Sequence, residues 1–368
     1  MANDEQNPGA TPGMMPGQVG IMPGQMGMMP GQMGMVGQNP MMAMMQMMQM
    51  MMGAGQLPMA GMDPAAVPFG QPAQAQPDGD PGLDADVIRP ATLDDLLKTQ
   101  QALTTGTVLD KLCLTEDQQH ALGGLPRGCT MALVGPPGKG KTRSCLSAVC
   151  RIAAAGTRVG LVVAEEGFHD DAESGRDDLA SRLAKIGMVA TGLPLEELRE
   201  QALENVYVLE SQYHKGQSWD DFVARYRYLV ERADVKFVVI DSLNMLDPTK
   251  HHTADNLSAL KTYNHEKGVT CLCIGQIRDT GQPVGGEAMQ HTADAVFLIE
   301  EMGLSSKEIA AKWGGKYRDR IDVIRAVKCV SAPTFPHPIR VAQSPETGEL
   351  IVHPEHPEEL AVPGERDA

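Results

Sequence analysis

Gly135 to Thr142 reads GPPGKGKT. It follows the apolar run CTMALV, Cys129 to Val134, and precedes the small, helix-compatible stretch RSCLSAVCRIAAAG. A strand, a Gly-rich loop and a helix in that order, with the pattern G-x-x-x-x-G-K-[ST], fit a nucleoside-triphosphate site. The glycines let the backbone turn tightly and bring N–H groups close to phosphate oxygens. The helix points its positive end at the same oxygens. Residues expected at the nucleotide are Gly135, Pro136, Pro137, Gly138, Lys139, Gly140, Lys141, Thr142 and Arg143. Lys141 is expected to reach the β/γ-phosphates, and the Thr142 hydroxyl to ligate Mg²⁺.

Further candidates sit at the ends of apolar runs. Asp241 closes VKFVVID, where a carboxylate can hold the Mg²⁺ water shell beside Thr142. Glu165 and Glu166 close RVGLVVAEE, a strand expected next to that of the phosphate loop. Either can polarise the water that attacks the γ-phosphate; the bland reading is a solvated acidic turn. Gln276 closes CLCIGQ, where an amide can sense the γ-phosphate or simply end a strand. The loop after Asp241 carries Lys250, His251 and His252, and the loop after Gln276 carries Arg278 and three glycines. Both are candidates for a ligand that responds to nucleotide state. The segment Leu304 to Arg320 interleaves basic residues with Trp313 and Tyr317. That reads either as a stacking surface for bases or as a solvated helix with an anchoring Trp.

These residues need elements to hold them. Apolar runs alternate with helical patterns. DDLASRLAKIG places Leu179, Leu183 and Ile186 on one helical face, and SWDDFVARYRYLVERA reads as a capped helix. NVYVLES, GVTCLCIGQ, DAVFLIE, RIDVIRAVK and HPIRVA read as strands, and TLDDLLKTQQAL from Thr92 as a helix. The expected fold is α/β, a mostly parallel twisted sheet with helices on both faces.

Composition sets the boundaries. Residues 1–90 hold 20 of the 25 methionines and no Lys or Arg before Arg89. The repeat PGQVGIM, PGQMGMM, PGQMGMV carries Pro and Gly in every unit, which forbids a coiled coil. This segment reads as a disordered Met/Gly/Pro/Gln-rich tail, with a protein partner for its methionines as the sharper alternative. Residues 345–368 read as an acidic disordered tail, leaving 91–344 as one ATPase-sized domain. Each end carries seven acids against one arginine, so most of the formal −16 lies outside the core. An acidic total therefore does not exclude nucleic acid. Met41 to Met52 is too short to cross a bilayer. Seven scattered Cys without a C-x₂-C pair suggest no zinc site, and their odd count favours a reducing cytoplasm.

Together, the phosphate loop, GGLPRG before it, Glu165–Glu166, VVIDS and the GQ pair resemble the RecA-like P-loop ATPase core. VGGEAMQHTADAVFLIE, with Gly286, His291 and Asp294, resembles the bacterial RadA/Sms branch, with KaiC and the DnaB helicases as relatives. The resemblance covers about residues 115–345. It implies ATP and Mg²⁺ at the interfaces of a ring or filament of identical subunits. It also implies a glutamate base at 165 or 166, Gln276 as sensor, and single-stranded DNA in the loops after Asp241 and Gln276. Recombination or repair is the function it implies; a nucleotide-gated assembly protein without DNA and a helicase motor are the alternatives. RadA's four-cysteine zinc module and protease-like domain have no counterpart in the sequence. After Lys328 the sequence is CVSAP rather than Asn-Arg-Phe-Gly. Lys328 remains as a cation for a neighbour's γ-phosphate, but the matching Arg is Val330, so slow turnover is expected.

Overall fold

The computed structural model describes residues 90–92, 96–169, 175, 177–211, 218–246, 252–277 and 291–364. The reading of residues 1–90 as a disordered tail lies, but for residue 90, outside the described residues. So do the loops that carry Lys250, His251 and Arg278.

The chain first forms β1 (Ala102–Leu103) and β2 (Leu125–Pro126), a small antiparallel pair. Then come β3 (Thr130–Gly135), α1 (Lys141–Ala154), β4 (Val159–Val163), α2 (Leu179–Thr191), α3 (Leu195–Gln201) and β5 (Val206–Glu210). α4 (Trp219–Glu231), β6 (Phe237–Asp241), α5 (Thr253–Lys267) and β7 (Thr270–Gln276) follow. The last elements are β8 (Ala295–Gly303), α6 (Lys307–Lys312), β9 (Arg320–Cys329), β10 (Ile339–Gln343) and β11 (Leu350–Val352).

β3 to β11 build one sheet in the order β11-β10-β9-β8-β3-β7-β6-β4-β5. The run from β8 to β5 is parallel, and β9, β10 and β11 are each antiparallel to their neighbours. Period-two alternation in β3 splits the core. Met131 and Leu133 pack under α1, α2 and α3, while Ala132 and Val134 pack under α4 and α5. A strand buried on both faces needs helices above and below it, as the apolar runs predicted. Leu179, Leu183 and Ile186 are all buried, and Ser218 and Asp221 close a capping box on α4. Cys271 and Cys273 are core thiols.

Three expectations are corrected, and for Trp313 one of two open readings is decided. β4 does not lie next to β3: β7 and β8, apolar nearly throughout, occupy both sides of β3, and β4 pairs with β5 and β6. Residues 345–364 are not a tail. β10 and β11 form a hairpin, Leu350, Leu360 and Val362 are buried, and the Leu350 N–H donates to Ser144 Oγ of α1 at 2.8 Å. The helix expected from Thr92 is absent over 96–101; Leu97 is 93% exposed, so a helix there finds no surface to bury its leucines against. Trp313 is not available for stacking: with Leu304, Ala310, Ile321 and Val323 it forms a small separate core.

Candidate functional site

β3 ends level with β7, Gly135 beside Gln276, so the phosphate loop emerges at the carboxyl edge of the parallel strands. Gly138 and Gly140 hold φ of +74° and +79°, the left-handed region that favours glycine. At Gly140 space is equally decisive: a Cβ there would stand 2.7 Å from the Gly348 carbonyl oxygen. Gly140 is also the N-cap of α1 and offers no side chain to its first turn. Those N–H groups stay directed at whatever occupies the loop.

Lys141 is nearly buried and folds onto its own loop. Its ammonium donates to the carbonyls of Gly135 at 2.8 Å and Pro136 at 2.6 Å. Burial pulls its pKa below the ordinary lysine value, against the opposing charges of Asp241 and Glu165. Thr142 Oγ1 donates to Asp241 Oδ2 at 2.7 Å. Burial drives the Asp241 carboxyl up to about 6, only partly countered by that hydrogen bond. A hydroxyl and a costly buried carboxylate one bond apart are the hard oxygen donors Mg²⁺ takes, so the residues fit the metal. Bound there, it would neutralise phosphate charge; Thr142 and Asp241 are the side chains that would hold it.

A cleft of about 240 Å³ is lined by Gly138, Lys141, Thr142, Arg143, Glu165, Arg182, Asp241, Gln276 and Gln343, among others. That is smaller than the roughly 300–1,000 Å³ of pockets that enclose a whole small molecule. It suits a phosphate chain, with the nucleoside outside. Although β4 is three strands from β3, the turn after it runs along the same edge, pinned by Ala164 N–H to the Asp241 carbonyl at 2.8 Å.

The two glutamates have different surroundings. Glu165 is exposed in the cleft, and the Gln276 amide donates to it at 3.3 Å. Glu166 is drawn aside into an ion pair with Arg182. Lys139 and Arg143 use their side chains as braces. Lys139 Nζ meets Glu301 at 2.9 Å and Asp322 at 2.8 Å, and the Arg143 guanidinium donates to the Thr347 carbonyl at 2.8 Å. Lys328 is not brought to the cleft. It pairs with Val296 near the start of β8, at the opposite edge of the sheet, and donates to the carbonyls of His291 and Ala293. Asp294 is an anchor: its carboxylate accepts the Thr130 N–H at 2.8 Å and the Lys261 ammonium at 2.9 Å.

Sequence reasoning missed Arg182 and Gln343. A basic residue on a helix carries no signal of its own. Gln343 ends an apolar strand as Gln276 does, and the same reasoning could have found it. Its amide donates to the Gly138 carbonyl at 2.6 Å.

The Asp241 shift predicts a pH dependence. The folded state holds this proton more tightly than the unfolded chain, whose Asp titrates near 3.9. Its contribution is therefore favourable below pH ~4 and lost as pH rises through about 6. Asp241→Asn keeps an acceptor for Thr142 and is expected to stabilise the nucleotide-free domain at pH 7.5 by ~2 kcal/mol. It should also weaken Mg²⁺-dependent ATP binding. Thermal melts and calorimetric titrations with and without Mg²⁺ check both; a lower melting temperature would contradict the burial argument.

The AAA domain family matches residues 99–282, half of the chain. A KaiC-like protein from the hyperthermophilic archaeon Pyrococcus horikoshii OT3 superimposes with a TM-score of 0.49 at 17% identity, over 69% of this chain and 100% of that one. No curated protein matches. A phosphate loop, a doubly wound sheet and a cleft at its carboxyl edge accompany that match, and the chain belongs to the AAA domain family.

Proposed function

We propose that this protein hydrolyses ATP with Mg²⁺ and couples the reaction to single-stranded DNA, in recombination or repair, as an assembly of identical subunits resembling the RadA/Sms branch. The observation that carries the reading is the Glu165–Gln276 contact at the cleft. Glu165 takes a proton from the attacking water; Lys141 and the first turn of α1 stabilise charge on the phosphates. Gln276 touches that base and is the last residue of β7, so it passes the state of the γ-phosphate to the loop that follows. That loop is where DNA is read.

Lys328 supports an assembly. It stands at the sheet edge away from its own phosphate loop, so the phosphate it can serve belongs to another copy. Methionine is an adaptable contact side chain, which supports a protein partner for the Met-rich sequence. Among the described residues no helix is long and apolar enough to cross a membrane. We place the protein in the cytoplasm.

The test compares ATP turnover, and DNA affinity with and without nucleotide, in the presence of single-stranded DNA. Faster turnover on DNA and nucleotide-dependent affinity are expected. If neither quantity responds, the DNA reading is lost, and a nucleotide-gated interaction protein takes its place.

A further inference from the structure

The phosphate loop is held from the antiparallel part of the sheet. Gln343, the last residue of β10, is exposed, lines the cleft and donates from its amide to the Gly138 carbonyl at 2.6 Å. The next residue is tied separately: the Lys139 ammonium meets Glu301 of β8 at 2.9 Å and Asp322 of β9 at 2.8 Å. One residue further, the hairpin between β10 and β11 seats against Gly140. A Cβ there would stand 2.7 Å from the Gly348 carbonyl oxygen and 3.7 Å from Gln343 Cγ. The hairpin is itself pinned to α1, through the Arg143 guanidinium on the Thr347 carbonyl and the Leu350 N–H on Ser144 Oγ, each at 2.8 Å.

The middle of the loop needs such a hold. Pro137 and Gly138 are the central residues of a tight turn, and proline before a glycine at φ +74° is the type II pattern. Such a turn directs the N–H of its fourth residue, Lys139, toward the carbonyl of its first, Pro136. The Lys141 ammonium donates to that same carbonyl at 2.6 Å, so the Lys139 N–H and the ammonium converge inside the loop. At Gly138 a Cβ would meet nothing within 4 Å, so packing does not fix the backbone there. Glycine samples several backbone regions at similar cost, and the Gly138–Lys139 peptide can turn over unless something holds it. That peptide is trans, so its carbonyl and its N–H point in opposite directions. Gln343 takes the carbonyl on one side, which keeps the N–H on the other.

We propose that Gln343 is a positioning residue for the phosphate chain: it holds the Gly138 carbonyl toward β10 and keeps the Lys139 N–H aimed, with the Lys141 ammonium, at a phosphate oxygen. The inference rests on the reading of the cleft as an ATP site. Without the amide the peptide is free to turn, and the phosphate loses one N–H of its cradle. That N–H meets the phosphate chain before and during reaction alike, so its loss falls on binding more than on the chemical step.

The full chain, Gln343→Met and Gln343→Glu are titrated with Mg²⁺-ATP and with inorganic tripolyphosphate, which has no nucleoside. Methionine keeps the length and removes the donor; glutamate sets an acceptor against the Gly138 carbonyl. Both variants are expected to bind each probe about tenfold more weakly, the low end of what one hydrogen bond to a charged group contributes. The KM for ATP should rise several times more than kcat falls. In a chain carrying isotope-labelled lysine, the Lys139 amide resonance should move on adding tripolyphosphate, and should move less in Gln343→Met. A brace that is only structural would lower the melting temperature and the number of binding sites per chain but leave their affinity unchanged, and that result overturns the proposal. A loss confined to ATP would mean that Gln343 meets the nucleoside, which overturns it too. Equal affinity for ATP in all the chains overturns it and leaves the ATP reading standing. An unsubstituted chain that binds neither probe removes the ATP reading, and this proposal with it. Gln343→Glu carries the same comparison where Gln343→Met folds poorly.

Discussion

Lys141→Ala is expected to lower ATP turnover by at least ~100-fold, the scale of losing one preorganised donor to developing charge. The ammonium now bonds two carbonyls of its own loop. A phosphate chain carries full negative charge and outcompetes those dipoles for a desolvated cation. The substitution removes the only lysine that lines the cleft among the described residues and leaves the fold nearly intact, because alanine suits the first position of α1. Phosphate release and a melting curve measured together separate the effects. Unchanged turnover would remove the phosphate-loop assignment. A large drop in melting temperature would show instead that Lys141 braces the loop.

Glu165→Gln is expected to cut kcat by ~10²–10⁴ while ATP affinity stays close to that of the unsubstituted protein. The amide keeps the size and the contact with Gln276 but takes no proton from water. Glu166→Gln should behave differently. It frees Arg182, which lines the cleft, so its effect should fall on ATP affinity more than on turnover. Single-turnover and binding measurements on the two variants decide the assignment. If Glu166→Gln is the slower of the two, the base is Glu166, and the ion pair with Arg182 opens during the cycle.

The phosphate loop, Thr142 and Asp241 were legible in the sequence because each depends on local chemistry: backbone that only glycine adopts, and a carboxylate at the end of an apolar strand. Their meeting at 2.7 Å follows from α/β topology. Which of Glu165 and Glu166 stands free of an ion pair at the cleft was not legible. It is set by Arg182, which pairs with Glu166, lies a helix away and could as well have faced solvent. Strand order was hidden for a related reason. β3 pairs with β7 and β8, more than a hundred residues downstream, and no local pattern records which apolar run takes which side. Sequence reasoning misplaced β4 next to β3, yet Glu165 still reaches the cleft, because the carboxyl ends of all the parallel strands share one edge. The C-terminal hairpin was hidden by its composition. In a Pro- and Glu-rich stretch, the three-residue apolar run that Leu350 opens is too short to mark a strand by itself, and its partner on α1 reveals its place.

That hairpin bears on how the protein is made. Gln343, Thr347 and Leu350 brace the phosphate loop and α1 across sequence separations of 204 to 206 residues. On the ribosome, at ~5–20 residues per second, the loop waits on the order of ten seconds or more for the segment that supports it. During that interval α1 lacks its cover, and Gly140 has nothing seated against it. A nascent chain halted before residue 350 carries the whole phosphate-binding motif without the brace that shapes it. A nucleotide at this loop would thus meet its shaped site, and stabilise the chain, only once synthesis has passed that point.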